Sequence, residues 1–113
     1  MFNEATSTGA LISGGAYNFA GSAYATVSGG LYNSISSGYS TISGGSLNRI
    51  SSTYGSVAGG RHNTVTGTDA NIGGGKYNRI AAEGSVVVGG GYNTVGQYAA
   101  YSAAVGRNDL VKH

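Results

Sequence analysis

Cysteine, proline and tryptophan are absent from this chain, and charged side chains make up only 9% of its 113 residues. Without cysteine no disulfide framework can form, and the redox compartment is left open. Without proline, and without glycine at every third position, the 22 glycines cannot belong to a collagen helix. Disorder accompanies low hydrophobicity and high net charge, whereas here 40% of residues are hydrophobic and the net charge is +2. No apolar run approaches the roughly 18 residues that a membrane helix needs, so no membrane insertion is expected. The start of the chain has no basic segment and only Ala10-Leu11-Ile12 as an apolar run, which does not read as a signal peptide. The weak positive balance predicts no nucleic-acid partner.

What is present is a repeat. Asn3, Asn18, Asn33, Asn48, Asn63, Asn78, Asn93 and Asn108 are all 15 residues apart, with no insertion in the series. A glycine pair precedes most of these asparagines, at Gly14-Gly15, Gly29-Gly30, Gly44-Gly45, Gly59-Gly60, Gly74-Gly75 and Gly89-Gly90. Each column of the register carries one physical type. Two residues after Asn stand Ala5, Ala20, Ile35, Ile50, Val65, Ile80 and Val95; nine after stand Ile12, Val27, Ile42, Val57, Ile72, Val87 and then Ser102. Seven after Asn every residue is small, from Ala10 and Ala25 to Ala100, and immediately before Asn stand Tyr17, Tyr32, Leu47, His62, Tyr77 and Tyr92.

Helical repeats need about 30 residues or more for a helix pair. Fifteen residues rich in Val, Ile, Thr and Tyr between glycine corners suit two short strands and two turns instead. Side chains alternate along a strand, so Asn, the aliphatic two later and the small residue two beyond share one inward face. The small residue at seven, the aliphatic at nine and the first glycine of the pair share the other. The expectation is an all-β chain, a single parallel β-roll or β-solenoid of about seven 15-residue coils with a partial coil from Asn108. At a strand spacing of ~4.8 Å, seven coils make a rod of roughly 34 Å. The Gly and Asn residues are then corners: glycine permits backbone conformations other residues resist, and the asparagines stack along the ladder or cap turn groups.

Two aliphatics per coil make a thin core, worth about 3–6 kcal/mol per coil against a far larger ordering entropy. The tyrosines cannot all fit inside. At least one column, Tyr17, Tyr32, Tyr77 and Tyr92, is therefore expected to pack against a second chain, as in a closed symmetric oligomer.

The phrases YSTISGG, YGSVAGG, LNRISS and HNTVTG, and the last coil GQYAAYSAAVGRN, resemble the head repeats of trimeric autotransporter adhesins, the YadA-like head, over nearly the whole chain from Asn3 to Asn108. Similar repeats are found in phage and viral fibre proteins. The strict fifteen-residue period and the regular Gly pair depart from the usual repeat, and the family's neck, stalk and anchor are missing from this stretch. The resemblance implies a left-handed roll wound as a homotrimer, a segment of a longer fibre or a minimal relative, at an extracellular, cell or virion surface.

Sites of chemistry are scarce. GGGKYN at Gly73–Asn78 lacks the spacing and the Ser or Thr of a phosphate loop and reads as a corner. Calcium-binding rolls need an Asp in each motif, and Asp69 and Asp109 are isolated. His62 sits in the tyrosine column and His113 is terminal, without partners in register. No Ser-His-Asp set assembles, so no enzyme and no cofactor are expected. The cations are more informative: Arg49 and Arg79 directly follow repeat asparagines, while Arg61 and Lys76 lie two before them. They are expected along one edge, Asp69 and Glu83 in the other half of the coil. Such an edge could attract an anionic glycan or matrix protein, or simply keep the rod in solution. Exposed tyrosines could also stack on sugars.

Three functions compete: an adhesive fibre segment, a filament subunit joining head to tail through open strand edges, and, less favoured, an ice-binding roll. Ice binding needs a regular rank of Thr, but the eighth position runs Thr26, Thr41, Ser56, Asn71, Val86 and Tyr101.

Overall fold

A computed structural model describes residues 2–106 together with Leu110 and Val111. Asn108, Asp109 and His113, named above, lie outside the described residues. Fifteen two-residue strands are present among the described residues, from β1 (Glu4–Ala5) and β2 (Leu11–Ile12) to β14 (Ala103–Ala104) and β15 (Leu110–Val111). The odd-numbered strands form one parallel sheet of eight, the even-numbered strands another of seven. Each strand therefore pairs with the equivalent strand of the next coil, and the chain is an all-β solenoid of about seven turns. A third ladder, one residue wide, runs through Ala16, Leu31, Ser46, Arg61, Lys76 and Gly91. The rod is 39 Å along its longest axis and 21 × 13 Å across.

The core sits between the two sheets. Val27, Ile35, Ile42, Ile50, Val57, Val65, Ile80, Val87 and Val95 have no exposed surface within a single chain. Period-two alternation explains this: Ile50 points inward while Arg49, its strand neighbour, is exposed. The small residues at the seventh position, among them Ala25, Ser40, Gly55 and Ala70, are buried as expected. They leave the thin interior free for the aliphatics of the facing strands. Ser40 is satisfied there, donating from Oγ to the Ser52 carbonyl at 2.7 Å and accepting from the Gly55 N–H at 3.0 Å. Among the described residues no buried side-chain nitrogen or oxygen lacks a partner.

Two expectations change. The first glycine of each pair does not occupy the interior: a Cβ added at Gly14, Gly29, Gly44, Gly59, Gly74 or Gly89 would meet nothing within 4 Å. The last complete coil also leaves the fifteen-residue step. Val87 pairs with Ala104 rather than Ser102, a step of seventeen, and Val95 pairs with Val111, a step of sixteen. Gln97 and Tyr98 form an extra turn, closed by the Ala99 N–H donating to the Gly96 carbonyl at 3.0 Å. Ser102 then takes the small-residue position, donating its N–H to Ser85 Oγ at 3.1 Å, and Ala104 becomes the core residue. Ala100 is exposed.

Candidate functional site: the corner columns

The Asn–Gly corner is held by its own hydrogen bonds. Asn33 donates from Nδ2 to the Gly29 carbonyl four residues earlier and to the Gly45 carbonyl twelve later, both at 3.0 Å. Its Oδ1 accepts the Asn48 N–H at 3.1 Å. The same three bonds recur at Asn18, Asn48, Asn63 and Asn78, and Asn93 repeats the two donations, to Gly89 and Gly106. Each amide thus links its own corner to the next coil with its two donors and its acceptor in use. Nothing is left over for a ligand, and the repeated asparagines are structural.

The two glycines of a pair differ. Gly15, Gly30, Gly45, Gly60, Gly75 and Gly90 have φ between 78° and 96°, and a Cβ on any of them would strike the backbone carbonyl oxygen of the glycine one coil on. At the last corner only Gly106 stands where pairs stood. It has φ of 104° and accepts from Asn93 Nδ2 at 2.7 Å. The single remaining glycine takes the second position, where left-handed backbone and close approach both require it.

Aromatic residues occupy the outside of two corners. Directly before the asparagines, Tyr17 stacks on Tyr32 at 4.9 Å, and His62, Tyr77 and Tyr92 stack in succession at 4.7 and 5.1 Å, all with planes 7° apart. Leu47 interrupts this column. Six residues after the asparagines a second column carries Tyr24, Tyr39 and Tyr54, stacked at 5.3 and 5.2 Å. That column was legible in the same register but carries no expectation above; Gly9, Asp69 and Gly84 share its position. Tyr101 joins it, through the shifted register, rather than the rank of Thr26 and Thr41, which ends at Ala103. The rings are exposed by 42–54% from Tyr17 to Tyr92. All of these tyrosines sit at φ of 56–59°, a left-handed conformation that costs a side-chain-bearing residue roughly 1–2 kcal/mol.

The expected cationic edge divides into two rows. Arg61 and Lys76 neighbour one another in the single-residue ladder. Arg49 and Arg79 lie on the outer face of the larger sheet, two coils apart with Thr64 between them. The rows flank the His62–Tyr77 stack, since position thirteen precedes it and position one follows it. All four cations are exposed. The Lys76 stem lies over Gly91, where even an added Cβ would meet its Cγ at 3.6 Å, ordinary packing distance. Asp69 and Glu83 are at the other corner, beyond both sheets' strands.

Tyr77, sandwiched between two rings, offers its edge and hydroxyl rather than a free face, so sugar stacking on it is not the geometry present. Among the described residues no cavity opens, and no group of three His, Asp or Glu could hold a metal ion. Recognition by this surface would use the outer corners. No protein-family model and no curated protein matches the chain.

Proposed function

We propose that this chain is an adhesive fibre segment. Parallel copies associate side by side, as a homotrimer in the manner its trimeric-head resemblance implies, and present a repetitive surface to a host glycan or matrix protein outside the cell or virion. The observation that carries this reading is the placement of the tyrosines. The core is closed within one chain, so the rings are not needed to complete it. A ring stack is worth about 0.5–1.5 kcal/mol, which no more than offsets the strain of holding tyrosine at positive φ. Rows of half-exposed rings that contribute little net stability suit a contact with another chain.

Of the two columns, Tyr24, Tyr39 and Tyr54 suit association better than Tyr77 and Tyr92, because no cation flanks their corner: Arg49 and Arg61 share a coil with Tyr54 but stand at the other corner. Light scattering across micromolar concentrations tests this. The expected result is a discrete oligomer that Tyr39→Gly with Tyr54→Gly disperses; a wild-type chain that stays monomeric overturns it.

A further inference from the structure

We propose that the corner bearing His62, Tyr77 and Tyr92 binds a linear sulfated or carboxylated polysaccharide laid along the rod axis. This rests on the adhesive reading for the idea of an extended ligand, and not on chain association.

Four of the chain's six Lys and Arg residues fall between positions 49 and 79, and the fold gathers them around one corner. Arg61 and Lys76 stand one coil apart on one side of the aromatic stack. Arg49 and Arg79 stand two coils apart on the other. At a coil spacing of ~4.8 Å these rows repeat at about 5 and 10 Å along the axis, a straight track for a polymer with regularly placed anions. Among the described residues none of the four cations is in an ion pair; Asp69 and Glu83 lie at the opposite corner, and Glu4, in the row of Arg49 and Arg79, stands three coils away from Arg49. The track is therefore positive along its length and unneutralised.

The ring geometry selects the kind of polyanion. Proteins that bind single-stranded nucleic acids offer open aromatic faces on which bases stack. Here Tyr77 has both faces covered, by His62 at 4.7 Å and by Tyr92 at 5.1 Å. What faces outward is ring edge and phenol hydroxyl, a donor and acceptor that sugar hydroxyls, sulfates and carboxylates can use without a stacking face. The flanking guanidinium groups of Arg49, Arg61 and Arg79 supply forked donors for the anions.

The test uses the full chain with heparin as probe and two charge-matched double variants. Arg61→Ser with Lys76→Ser removes two positive charges from the track. Ser28→Glu with Ser43→Glu adds two negative charges at exposed positions on the other sheet's side. The first is expected to weaken heparin binding about tenfold, the second less than about twofold at physiological ionic strength. Oligothymidylate is expected to compete poorly. Equal losses in the two variants would mean that net charge alone binds heparin, and the proposal falls. It falls equally if Arg61→Ser with Lys76→Ser binds as the wild type does, or if oligothymidylate competes as well as heparin. Light scattering on the same samples separates the two proposals: a monomer that binds heparin at this corner overturns association alone, and an oligomer indifferent to heparin overturns this site alone.

Discussion

The backbone N–H of Asn63 donates to the side-chain Oδ1 of Asn48, fifteen residues earlier, at 3.1 Å. Asn48 in turn donates from Nδ2 to the carbonyls of Gly44 at 3.1 Å and Gly60 at 3.0 Å. One buried amide therefore ties three backbone groups of two successive coils together.

Asn48→Ala leaves the Asn63 N–H and the Gly44 carbonyl without a partner, whereas the Gly60 carbonyl keeps the Ser46 N–H at 2.9 Å. Each unsatisfied group costs about 1–3 kcal/mol, so a loss of about 2 kcal/mol or more is expected. An unfolding free energy from urea or guanidinium titration that falls by less than about 1 kcal/mol would contradict the role assigned to the amide. Asn48→Asp should fare no better, since a carboxylate can still accept from Asn63 but cannot donate to either glycine.

Adjacent glycines give a sharper comparison. Gly30→Ala puts a Cβ against the Gly45 carbonyl oxygen at a φ of 96°, and a loss well above 1 kcal/mol is expected. Gly29→Ala meets nothing within 4 Å and should be neutral or stabilising by about 0.4–1 kcal/mol, through the unfolded chain. Thermal melts of the pair check this, and equal effects would refute the different roles given to the two glycines.

The inner columns were legible because the period of fifteen and the alternation of two agree at every coil from Asn3 to Asn93. Three features were not. The first glycine of the pair looks inward by parity, but the corner turns before parity applies. In the last coil the asparagine spacing stays at fifteen while the strands step by sixteen: two residues enter at Gln97 and Tyr98, and one glycine is lost before Gly106. A visible sign is that Ser102 and Ala104 match Ser85 and Val87 only after a shift of two. Left-handed tyrosines were illegible because tyrosine disfavours that region; the sole hint was Gly9 and Gly84 in the column of Tyr24, Tyr39 and Tyr54.

Those left-handed positions make Tyr39→Gly nearly silent for stability. Glycine relieves roughly 1–2 kcal/mol of strain and forfeits stacking of similar size with Tyr24 and Tyr54, at 5.3 and 5.2 Å. A change within about 1 kcal/mol is expected in equilibrium unfolding under conditions where the chain is monomeric. A loss of several kcal/mol would show the column to be part of the fold's own stability.

Deleting Gln97 and Tyr98 together should restore the ordinary turn between Gly96 and Ala99. The deletion removes an exposed turn that no core side chain uses, so the melting temperature should change by no more than a few degrees, roughly 1 kcal/mol for a domain of this size. Loss of the strand signal in circular dichroism would mean that the extra turn supports the coil.

The same turn has a practical consequence. A coil that swallows two extra residues and drops another, yet keeps its core pair Val87 and Ala104 in register, separates the length of a connection from the order of the stack. Position 97 is thus a grafting site: a peptide or loop inserted there would be displayed at the side of the rod, at a height fixed by the coil that carries it.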